Sequence, residues 1–294
     1  MIDGVGVLGV PYNSAGRTDG VAVAPAALRR AGLLEALAET SSVRDYGDVT
    51  LTAPSTTRDP ETHVIDPDGL RAVVGRVRDG VSRILDDGRF PLVLGGDCPV
   101  LLGCLAAFGR TGGRRLLFVD GHEDAYPPEL STTGEAADME LGLALGLVEP
   151  AWWPELAALS PLVGPDDVHL LGPRDRRAIE SYGSRSLAGR VAIDDGATLA
   201  GDPRTVTAGA VRSLRPPWWL HVDLDVLSTD ALPAVDYPQD GGLDWTGLDI
   251  VTRTALAAAP VGWDVTIYNP DLDPEATYAQ RIVGFIASSI GDAA

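Results

Sequence analysis

Short, continuously apolar runs of strand length recur along the chain, each breaking into a glycine-rich or acidic turn and then into residues with helical spacing. VGVLGVPY (residues 5–12) runs into a polar loop at 13–20. Pro25 then opens AALRRAGLLEALAE, with proline in the first helical turn, where its missing N–H costs little. FPLVLGGDCPVLLGCLAAFG (90–109) repeats the unit, placing Gly95 and Gly96 at a strand end where backbone must approach something closely, and Cys98 at the start of the next helix. LLFVDGHEDAY (116–126), DVHLLGPRD (167–175), GRVAI, PWWLHVDLDVL and VGWDVTIYNP read as further strands. Helices are expected over 70–85, 134–146, 204–214, 245–258 and 276–290, with RRAIESYG as a shorter one, and the polar stretch 52–67 reads as a surface loop. Strands without polar alternation, separated by helices, predict βαβ units around a buried, mostly parallel sheet. No repeat, low-complexity linker or composition shift divides the 294 residues, so one domain, 1–294, is expected.

In an open α/β sheet, ligands bind beyond the carboxyl ends of the strands, and the chemically suggestive residues cluster there. Asp120, His122 and Asp124 are spaced two apart after the run LLFV, a spacing that in extended chain points all three to one side. Asp223 and Asp225 repeat that period after WWLHV. Four carboxylates and an imidazole on two strand ends repel unless cations neutralise them. Such a set suits Mn²⁺, Mg²⁺ or Zn²⁺, and a carboxylate can bridge two ions about 3.5–4 Å apart, so a dinuclear centre is expected. Either motif alone more often caps a turn. The pair, on separate apolar strands, is what points to metal.

GGDCP (95–99), DGHED (120–124) and DLDVLSTDALPAVDYPQDGGL (223–243) resemble, in order and spacing, three signature segments of the arginase/agmatinase (ureohydrolase) family. VAPAALRRAGLLEAL, DYGDV, GPRD (172–175) and YNPDLDP extend the resemblance over almost the whole chain. It implies a three-layer αβα sandwich with a mostly parallel central sheet, two manganese ions, hydrolysis of a guanidino compound to urea and an amine, and a trimer or hexamer. Residue by residue, it implies Asp120 and Asp223 as bridging ligands, Asp124 on the first metal, and His122 and Asp225 on the second. Cys98 stands where the family has a histidine ligand of the first metal. The implied nucleophile is a hydroxide bridging the ions, with Asp124 handling its proton.

Three positions depart from the family pattern. A thiolate at Cys98 suits zinc or iron better than manganese; the other reading is a half-buried thiol beside a weakly held ion. The histidine that shuttles protons in arginases falls near Ala137, where Glu135 or Asp138 either substitutes or only stabilises a helix N-terminus. The glutamate that contacts the guanidinium falls at Ile267. Asp236, Tyr237 and Asp240 are either substrate contacts or a solvated turn. The metal machinery is thus kept while the substrate-reading residues change. The expectation is hydrolysis of a C–N bond in a guanidino or amidine-type small molecule, with an N-hydroxyguanidine or amide substrate, or a non-catalytic binding role, as alternatives. His221 shares a face with Asp223 and reads as a core histidine or one bonded behind a ligand; His169 reads as strand packing, His63 as solvated, and Trp218 and Trp219 as core or an oligomer contact.

A formal charge of -19 with pI near 4.4 argues against nucleic acid or an anionic membrane as partner, since both require cationic patches. Every fixed side-chain cation is an arginine. Two cysteines form no disulfide framework, no charged leader precedes an apolar segment, and no apolar run spans a bilayer, so a soluble protein of the reducing cytoplasm is expected. Walker and GxSxG motifs are absent.

Overall fold

The computed structural model describes residues 2, 4–148 and 153–293. Its strands are β1 (Gly4–Val10), β2 (Ser42–Asp48), β3 (Phe90–Gly95), β4 (Leu116–Val119), β5 (Val168–Leu171), β6 (Ala192–Asp194), β7 (Trp219–Asp223) and β8 (Trp263–Thr266). They form one parallel sheet in the order β2-β1-β3-β8-β7-β4-β5-β6. Alternate residues of each central strand feed two separate apolar clusters. Leu92, Leu94, Leu220 and Val222 pack on the face covered by the helices Trp245–Leu256 and Thr277–Gly291, whereas Val93, Phe118 and Trp219 pack on the face covered by Pro67–Asp86 and Val100–Gly109. The protein is therefore the αβα sandwich implied by the resemblance.

Register brings the strand ends to one level. Val119 lies opposite Val222, and Val222 opposite Val265, so the segments leaving β4, β7 and β8 emerge side by side. The C-terminal ends of β3, β8, β7 and β4, the four central strands, form the floor of a cavity. Gly96 allows this closeness after β3, because a Cβ there would overlap the backbone carbonyl of Tyr12.

Three local readings are corrected. The stretch after Pro25 is two helices, Ala24–Arg30 and Leu33–Ala38, broken at Gly32, whose φ of 93° ends the first turn and redirects the chain. Residues 134–146 form a 3-10 turn, Ala136–Asp138, and a short helix, Glu140–Ala144, because that segment follows the cavity wall. SVRDYGD, to which the sequence pattern assigns no element, forms edge strand β2, where Arg29 pairs with Asp45 at 2.9 Å and Asp48 at 2.5 Å. Asp120, His122 and Asp124 are not on extended chain: pairing of β4 ends at Val119, the Asp120 carboxylate accepts the amide of His122 at 2.6 Å to turn the backbone, and Asp124 has φ 41°. No helix among the described residues is long and apolar enough to cross a membrane. Trp218 and Trp219 are fully buried in the core.

Candidate metal centre

Each central strand delivers a chemical group to the cavity floor. The turn after β3 brings Cys98, β4 leads into Asp120, His122 and Asp124, β7 ends at Asp223 with Asp225 in the following 3-10 turn, and Ile267 follows β8. A cavity of about 330 Å³ opens above them, with Asp120 fully buried beneath. Two amides position the carboxylates: Gly121 donates to Asp225 Oδ1 at 3.0 Å, and the amide of Asp225 donates to Asp223 Oδ1 at 2.6 Å. Gly121 has no room for a side chain, since a Cβ would lie 2.8 Å from Asp225 Oδ1. Arg174, of the GPRD segment, fastens the turn after β7 by donating to the carbonyl of Asp225 at 2.8 Å.

The donor atoms converge in two overlapping groups. In one, His122 Nδ1 stands 2.8 Å from Asp225 Oδ2 and 3.6 Å from Asp120 Oδ1. In the other, ligand atoms of Cys98, Asp120, Glu140 and His221 lie within 4.8 Å of one another. Asp223 joins the two, accepting the Cys98 thiol at 2.8 Å, and Asp124 lines the cavity beside them. Burial and the charges of Asp225 and Asp120 push the Asp223 carboxyl well above its usual range, and burial together with Asp120 and Glu140 does the same to Asp124. Burial raises the Cys98 thiol, with Asp223 adding to the effect. Asp120 goes the other way: burial opposes its charge, but His122 and His221 outweigh it and hold the carboxyl low. His122 likewise stays above its ordinary value although burial opposes the cation, because Asp225 and Asp120 flank it. Asp120 Oδ2, both Glu140 oxygens and His221 Nε2 are buried without a hydrogen-bond partner. Buried carboxylates with orphaned oxygens, an imidazole nitrogen and a thiol fit divalent cations, which would satisfy these atoms and offset the charge.

The rim carries Glu135, Asp138, Asp236 and Tyr237, whereas Asp240, singled out with them from sequence, is not among the residues lining the cavity. Tyr237 donates its hydroxyl to Glu135 Oε1 at 2.8 Å, Asp236 accepts Asn269 Nδ2 at 2.6 Å, and Asp138 accepts the hydroxyls of Ser131 at 2.6 Å and Thr133 at 3.0 Å. All four face the cavity; Asp236 is engaged by Asn269, whereas both hydroxyls fall on Asp138 Oδ2 and leave its Oδ1 buried without a partner. Burial pushes Glu135 up to about 7 and Asp138 up to about 6. Ile267, buried against the cavity, has φ 70°, an outlier for a β-branched residue, and its amide is held by the Gly96 carbonyl at 2.8 Å.

Two groups escaped sequence reasoning as candidate ligands, and a third as a cavity residue. Glu140 is fully buried; its one signal is a carboxylate in the otherwise apolar run LGLALGL that follows it. His221 projects toward Asp120, with Nε2 3.8 Å from Asp120 Oδ2. Asp175, the end of GPRD, lines the cavity with Oδ1 unpartnered, and burial pushes it up to about 6. His169 is bound rather than merely packed, with Nε2 2.8 Å from Asp194. Glu123, between the candidate ligands, turns away and accepts Ser186 Oγ at 2.7 Å.

The Arginase family profile matches residues 3–290. Arginase-1 of Sus scrofa is 29% identical over 302 aligned residues, covering 95% of this chain and 89% of its own length. The arginase of Bacillus caldovelox is 26% identical over 98% of both chains. Its crystal structure superposes with a TM-score of 0.86 at 25% identity, covering 99% of each chain, and that of the Bacillus cereus arginase superposes with 0.84 at 25%, covering 98% of each. With the fold, the order of the acidic segments and a match along nearly its full length in agreement, this chain belongs to the arginase family.

Proposed function

We propose that the protein is a metal-dependent hydrolase that cleaves a C–N bond in a guanidino or amidine-type small molecule. The observation that carries this reading is the convergence of Cys98, Asp120, His122, Asp124, Asp223 and Asp225 on one cavity floor, with buried donor atoms left unpartnered. By the family pattern Asp120 and Asp223 would be the shared carboxylates, His122 and Asp225 would hold one ion, and Cys98 and Asp124 would serve the other. Manganese is the family's metal; the Cys98 thiolate draws the preference of one position toward zinc or iron.

Two divalent ions, when bound, supply an acidified water and a Lewis acid for the charge that develops on the substrate. Asp124 faces the cavity and takes the proton from the attacking water, then returns it to the departing nitrogen. His122, clamped by Asp225, orients its side of the floor. None of the described residues lining the cavity is Arg, whereas Glu135, Asp138, Asp175 and Asp236 line its wall and rim, an arrangement suited to a cationic substrate. Glu135, Tyr237 and Asp138, whose Oδ1 has no partner, are the substrate contacts, and Asp236 shapes the rim beside them. Ile267 favours a second reading, an N-hydroxyguanidine or amide, because an apolar wall replaces a carboxylate where the cation of a plain guanidine would sit. The assembly is proposed to be a homo-oligomer, a trimer or hexamer, which sedimentation would resolve.

A panel of guanidines, N-hydroxyguanidines and amides, scored for released urea, hydroxyurea, ammonia or amine, tests the reaction. Metal-dependent release from one class, abolished in Asp124→Ala, is the expected result. No turnover of any class by protein loaded with metal would contradict it.

A further inference from the structure

The group Cys98, Asp120, Glu140 and His221 differs in kind from the ligand set described above. Its members come from four separate places: the turn after β3, the turn after β4, the helix Glu140–Ala144 and the middle of β7. None is more than 1% exposed. Glu140 has no partner for either oxygen, an expensive state for a carboxylate lodged between apolar helices unless something binds it. It is also anchored toward the floor, since the amides of Leu141 and Gly142 donate to the carbonyl of Asp124 at 2.9 and 3.1 Å.

His221 is oriented as a metal-binding histidine is. Its Nδ1 stands 2.5 Å from Asp264 of the neighbouring strand β8, which also accepts Trp219 Nε1 at 2.5 Å, and Phe118 of β4 stacks on the ring at 4.6 Å. A carboxylate on Nδ1 fixes the proton there, leaving the Nε2 lone pair aimed at Asp120 and Glu140. Nε2 has no hydrogen-bond partner.

We propose that Cys98, Asp120, Glu140 and His221 form a closed four-ligand site for zinc, beneath the cavity floor, with Asp120 shared with the His122 and Asp225 group. The proposal rests on reading this pocket as a metal centre and relocates its inner ion, replacing Asp124 and Asp223 by Glu140 and His221 as that ion's ligands. One thiolate, one imidazole and two carboxylates match zinc better than manganese. Ligand atoms around a tetrahedral zinc lie roughly 3.3–3.8 Å apart, as its bond lengths require. The His221 to Asp120 separation of 3.8 Å is already at that scale, and since no two ligand atoms lie more than 4.8 Å apart, closing on an ion needs a contraction of at most about 1 Å. Four protein ligands leave no open position, so the inner ion holds the floor together and adds fixed positive charge below the substrate, while Asp124 and Asp223 remain free to face the cavity.

The test is zinc X-ray absorption on the full-length apoprotein loaded with a single equivalent of zinc alone. The expected spectrum has a sulfur scatterer at about 2.3 Å together with imidazole scattering on the same ion. Sulfur without imidazole would place the ion on Cys98, Asp124 and Asp223 and overturn the proposal while leaving the hydrolase reading standing; imidazole without sulfur would place it at His122 and also overturn it. Failure to bind zinc or manganese at all would remove both. Among variants, Glu140→Gln and His221→Gln are expected to weaken binding of the sulfur-ligated ion about tenfold or more, and Asp225→Asn to leave its spectrum unchanged. Folded Glu140→Gln with unaltered zinc affinity would overturn the proposal, and if that variant does not fold, the wild-type spectrum decides alone.

Discussion

On the function proposed above, Ile267 and Glu135 are the residues that set what the cavity accepts. Ile267 places an apolar, conformationally unfavourable side chain against the floor, a strain of about 1–3 kcal/mol that a residue retained only for packing would have little reason to carry. Ile267→Glu is expected to lower KM for a plain guanidine about tenfold, the scale of one charge-assisted hydrogen bond; an unchanged KM in steady-state kinetics would show that the cation binds elsewhere. Glu135 is the rim group with a titration near neutrality, at about 7. Above that value it is ionised and attracts a cation, below it is neutral, so affinity for a cationic ligand should fall as pH drops from 8 to 6, and the fall should shrink in Glu135→Gln, what is left of it belonging to Asp138 and Asp175, each at about 6. The sign for stability is opposite. Because the folded carboxyl keeps its proton to higher pH than the unfolded one, folding loses stability as pH rises from the ordinary carboxyl range through about 7, and Glu135→Gln should flatten that part of the pH profile in urea melts. Cys98→His exchanges a soft donor for an imidazole, and manganese content on purification should rise relative to zinc; an unchanged ratio would mean that Cys98 is not a ligand.

At the scale of elements, the central strands are legible because a sheet covered on both faces demands unbroken apolar runs, as in LLFV and FPLVL. The edge strand β2 is not, since its SVRDYGD needs burial on neither side and is held by charges instead. The DxHxD spacing correctly marks Asp120, His122 and Asp124 as neighbours for the wrong reason: they converge through a turn capped by Asp120, not through extended alternation. Glu140 and His221 are invisible to motif spacing because their proximity to Cys98 and Asp120 is made by long-range packing of segments far apart in sequence. The close approach at Gly96 is legible as a pair of glycines after a strand. Gly96→Ala would drive a Cβ into the Tyr12 carbonyl, and a loss of about 1–3 kcal/mol in chemical denaturation is expected, with no change in secondary structure.

For the whole molecule, a net charge of -19 and a floor crowded with carboxylates mean that, on the metal reading proposed above, cations are part of the fold's energetics. A bound ion that the unfolded chain does not hold adds about 3–4 kcal/mol when free metal exceeds its Kd by two to three orders of magnitude, so a chelator should lower the melting temperature and added metal should restore it. The family and the sandwich follow from the sequence pattern and the matches with known arginases; the metal centre is the claim on which the chemistry stands. Asp120 is the single residue common to both ligand groups. Elemental analysis of the protein as purified, beside Asp120→Asn of verified fold, measures that claim directly. Stoichiometric divalent metal in the wild type, most of it lost from the variant, is expected. Only trace metal in the wild type after reloading, or equal content in the two proteins, would contradict it.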